Sequence, residues 1–113
     1  MIKTPQKIVH DWYSKLRNTY LTEVGELDLE KSFFQLNALA TSLITNTHKN
    51  IELLAFEHPD NKIFNESFAN RLSEIKQALI AYGLNSNRVT INDKLKPNSS
   101  DEFGNFYFGI RFQ

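Results

Sequence analysis

The amino-acid sequence predicts an α+β fold, a two-layer α/β sandwich with helices on one face of a small mixed sheet. Three observations predict it. Phe68, Leu72, Ile75, Leu79 and Tyr82 recur at helical spacing, and Gly83 stops the stripe where a left-handed cap suits glycine. Val89 and Ile91 then alternate with Arg88, Thr90 and Asn92 as a half-buried strand. Phe106, Phe108, Ile110 and Phe112 alternate with Tyr107, Gly109 and Arg111, so the chain closes on a strand from Asn105 to Phe112 with an aromatic core face.

The remaining elements follow in order. Thr4 and Pro5 suit an N-cap and a first helical position. Ile8, Trp12 and Leu16 then form a stripe, which predicts a helix from about Pro5 to Arg17. Residues Leu16 to Val24 read equally as extended, because Leu16, Asn18 and Tyr20 alternate with Arg17, Thr19 and Leu21. Asp28 caps the next helix, with Glu30 in its first turn. Its stripe is Leu29, Phe33, Leu36, Ala40, Leu43 and Ile44, a one-sided face that would lie on a sheet. Phe34 points off that stripe, toward the N-terminal helix or a partner.

A polar break at Asn46–Asn50 leads into a strand from Ile51 to Phe56, apolar except for Glu52. Such a run is expected in an interior strand covered on more than one face. Glu57-His58-Pro59-Asp60-Asn61 is a turn, since proline bars helix at His58. The helix Phe64–Tyr82 and the strand Val89–Asn92 follow. Asp93–Gly104, DKLKPNSSDEFG, has the composition of a mobile loop. Residues 1–26 are therefore a helix and lead-in, and residues 27–113 a single α/β unit.

Bulk composition narrows the function classes. A chain of 113 residues is one domain. The 13 basic and 13 acidic residues leave no net field to attract nucleic acid or an anionic membrane. Without cysteine there is no disulfide and no thiolate metal site. No run approaches the ~18 consecutive apolar residues of a membrane span. The N-terminus as written has no signal-peptide apolar region. The expected compartment is the periplasm if the chain is a fragment whose leader was removed, and otherwise the cytoplasm.

The helix LEKSFFQLNALATSLI, the strand NIELLAF, the helix ending RLSEIKQALIAYGL and the segment NSNRVTI stand in a familiar order. Arg71 is followed by Ile75, Leu79 and Gly83 at spacings of four, eight and twelve. In these features the chain from about Leu27 to Phe112 resembles the OmpA-like domain of OmpA, Pal and MotB proteins. The resemblance implies a β-α-β-α-β-β order and non-covalent anchoring to peptidoglycan. In that family a loop aspartate and the helical arginine grip the diaminopimelate of the stem peptide. A zwitterion needs a carboxylate for its ammonium and a guanidinium fork for its carboxylate.

By that resemblance Arg71 matches the arginine. The loop departs from the family, because His58 stands where the aspartate is expected and Asp60 lies two residues on. Asn65 is near, but out of register with, the family's asparagine. The ligand set implied is thus Arg71, Asp60, His58 and Asn65, with no cofactor and no metal. The degenerate loop implies either weak peptidoglycan binding or a structural piece of an envelope or secretion assembly.

Plainer readings stand beside each residue. Arg71 would pair on the surface with Glu74 or Glu66, as exposed ion pairs commonly do. Glu57, His58 and Asp60 would serve the turn, since their spacing matches no metal-ligand pattern. His48 would sit at a helix C-terminus, favoured by the dipole. No nucleophile–base pair, glycine-rich phosphate loop or nucleophile elbow is present, so the sequence reads as non-enzymatic. The alternative function is a protein–protein interaction module of ferredoxin-like or related two-layer fold without peptidoglycan binding. It would pair through the aromatic C-terminal strand or the first helix.

Overall fold

The structure, a computed structural model, describes residues 14–16, 19–58, 61–97 and 107–113. In chain order its elements are β1 (Ser14–Lys15), β2 (Tyr20–Leu21), β3 (Leu27–Asp28), α1 (Leu29–Thr45), β4 (Ile51–Ala55), α2 (Lys62–Ala81), a 3₁₀ turn (Ser86–Arg88), β5 (Val89–Ile91) and β6 (Phe108–Phe112). One sheet has the order β1-β6-β4-β5, and β2 pairs with β3 in a separate hairpin. The pair β4–β5 is parallel and bridged in sequence by α2, while β6 runs antiparallel to both β4 and β1. The expected α+β architecture is the one observed.

The apolar run Ile51–Ala55 takes the inner position in the sheet. Ile51, Leu53 and Ala55 join the core formed with both helices, and Leu54 and Phe56 are buried outside that cluster. Both faces of β4 are therefore covered, as a run without alternation requires.

The helix α1 begins where Asp28 accepts a hydrogen bond from the Lys31 amide at 3.0 Å. Its buried residues are Ser32, Leu36, Leu39, Ala40 and Leu43. The expected stripe is thus rotated: Leu29, Phe33 and Ile44 are exposed, and Ser32 and Leu39 take their place. Ser32 turns inward because its hydroxyl accepts the Tyr20 amide at 2.8 Å, fixing the β2–β3 hairpin against the helix. Periodicity locates an apolar arc but not which neighbouring element meets it.

The helix α2 is opened by Asn61, whose side chain accepts from the Phe64 amide at 2.9 Å. It kinks at Ser67 (φ −121°, ψ 18°), whose hydroxyl donates to the Ile63 carbonyl at 2.7 Å. A hydroxyl bonded back into the preceding turn bends a helix in this way. At its end the Gly83 amide donates to Ile80 and the Leu84 amide to Leu79, with Gly83 at φ +109°. This is a Schellman cap, and Leu84 is buried beneath it.

Four expectations need correction. A helix reaching Arg17 does not hold at its end, because Ser14–Lys15 pair with Gly109–Ile110 and the Leu16 amide donates to the Phe108 carbonyl at 3.0 Å. Pairing there satisfies the backbone of β6 along its other edge. The rest of that predicted helix, with Trp12 and Tyr13, lies outside the described residues. Phe112 is 50% exposed rather than core, because it pairs with Ile51 at the sheet's end. Part of the expected loop is stitched to the sheet: the Lys96 amide donates to Ala55 at 3.0 Å and the Glu57 amide to Lys96 at 2.8 Å. Finally, α1 ends at Thr45 and His48 lies in the turn beyond it, exposed.

Candidate functional site

Past the end of β4, the chain is held from two sides. The Phe56 amide donates to the Tyr107 carbonyl and the Glu57 amide to the Lys96 carbonyl, both at 2.8 Å. These bonds deliver His58 to the space between the lead-in of β6 and the first turn of α2. There its ring stacks on Tyr107, with centroids 4.5 Å apart and planes 25° from parallel. Its Nε2 lies 2.8 Å from the Tyr107 hydroxyl. Tyr107 in turn leans on buried Phe64, centroids 5.6 Å apart.

Asn65 shapes this loop. Its side-chain oxygen accepts the His58 amide and its side-chain nitrogen donates to the His58 carbonyl, each at 2.8 Å. One carboxamide therefore satisfies both backbone groups of the same residue, which an asparagine does when its two ends meet a donor and an acceptor. The N-cap of Asn61 fixes the helical turn from which Asn65 reaches back. The arrangement can orient a histidine–tyrosine pair. Among the described residues, no group of three or more His, Asp or Glu side chains is placed to hold a metal ion.

Arg71 is elsewhere in its bonding. Its Nη1 donates to the Gly25 carbonyl at 3.2 Å, and its Nη2 meets Glu74 Oε2 at 3.1 Å. The pairing with Glu74 expected from sequence is present, but the arginine side chain is only 11% exposed and not on the surface. Gly25 sits at φ +83° in the tight turn between β2 and β3, where the Gly25 amide also donates to Thr22 at 3.0 Å. Arg71 thus braces α2 against the hairpin. Of the four residues singled out, the structure joins His58 to Asn65 and engages Arg71 with the hairpin instead. Asp60 lies outside the described residues.

Two residues carry no local signal of what they do. Tyr107 reads only as a strand position, and nothing nearby marks it as the partner of His58. Arg88 reads as the polar side of a strand, yet its guanidinium donates to four groups around the end of α1. Its Nη1 donates to Leu43 O at 2.6 Å, and its Nη2 to Asn46 O at 2.7 Å and to Lys49 O. Its Nε donates to Asn50 Oδ1 at 3.4 Å. A usable signal is the lack of any basic residue in the last turn of α1, which leaves its carbonyl end for a distant cation. Arg111, a lone basic residue on its strand, pairs with Glu52 at 3.0 Å across the β4–β6 register.

Fold and site together define a small two-layer α+β domain in which His58, Asn65 and Arg71 are tied into its own loops. Compared with known proteins, the chain matches no protein-family model and no curated protein sequence. Among the described residues, no helix is long and apolar enough to cross a membrane.

Proposed function

We propose that this chain is a non-enzymatic protein-interaction module that does not grip a peptidoglycan stem peptide. One observation carries the reading: the Arg71 guanidinium is mostly buried and engaged by Gly25 and Glu74. A guanidinium offered to a ligand carboxylate needs its paired N–H groups facing outward. Releasing Arg71 would leave the Gly25 carbonyl without its donor, at a cost of about 1 kcal/mol before any ligand is bound, while the half-exposed Glu74 would turn to water. The helix–strand–helix–strand–strand order, which resembles the OmpA-like arrangement, supports a place among envelope or secretion proteins as a structural piece. The exposed apolar side chains of α1 support contact with protein.

Cosedimentation with diaminopimelate-type sacculi tests this. The wild type and Arg71→Met should both remain in the supernatant. Retention of the wild type, displaced by free diaminopimelate, would overturn the reading.

A further inference from the structure

We draw no further inference here: the strongest candidate, the stacked His58–Tyr107 pair between the lead-in of β6 and the first turn of α2, belongs to the site already described, and the Tyr107 hydroxyl can donate to the neutral ring or accept from the charged one, so titration breaks no contact.

Discussion

Arg71 and Arg88 sit at two regions of one small domain and do related work with different intensity. Arg71 braces α2 to the β2–β3 turn through one carbonyl and one partly exposed glutamate. Arg88 closes the end of α1 through the carbonyls of Leu43, Asn46 and Lys49 and the side chain of Asn50. Arg71 is conspicuous in sequence because it stands at a motif spacing. Arg88 has the setting of an ordinary strand residue. The bonds a side chain makes are thus decided by the backbone ends it meets, and a motif spacing does not report them.

Mutation separates the two arginines. Arg88→Met should be the most damaging change, because helix-terminal carbonyls lose a charged donor and no basic residue in the last turn of α1 can replace it. We expect a loss of about 3 kcal/mol, read as a lower urea midpoint at constant slope. A loss no greater than that of Arg71→Met would refute the ranking of the two regions.

Gly83→Ala probes the same end of the molecule without touching a charge. Its φ of +109° strains any residue with a Cβ, and that atom would also lie 3.4 Å from Ile44 Cδ1. A destabilisation of about 2 kcal/mol is expected in the same urea titration. A neutral result would mean that the Schellman cap relaxes freely.

Arg71→Met should cost least, about 1 kcal/mol, because the substitution keeps much of the apolar stem. It loses one neutral acceptor and one ion pair with a 41% exposed glutamate. The β2–β3 hairpin should show the change locally, as faster amide exchange around Gly25. An effect spread evenly over the sheet would place Arg71 in the core's cooperative unit instead.

Much of the fold is legible in the sequence because it rests on local signals. Asp28 caps its helix, Gly83 ends the next one, and the unbroken apolar run at Ile51 is the inner strand. Less is legible where two elements compete for one segment. Ser14–Lys15 fall within the helix that the stripe of Ile8, Trp12 and Leu16 predicts, and pairing with β6 overrides it. The α1 stripe is misplaced by periodicity because Leu29, Phe33 and Ile44 satisfy helical spacing as well as Leu39 does, and packing against α2 together with the hairpin at Ser32 selects the arc. In the candidate site, Asn65 and His58 are near neighbours in sequence, but their double hydrogen bond depends on the turn set by Asn61.

The identity and order of α1, β4, α2, β5 and β6 are written in the chain itself, because periodicity and capping act over a few residues. Which groups those elements bring together is settled only in three dimensions. Arg88 meets Leu43 across 45 positions of chain, Arg71 meets Gly25 across 46, and His58 meets Tyr107 across 49. A hydrogen bond depends on distances of a few tenths of an ångström and on direction, and no spacing along the chain encodes either.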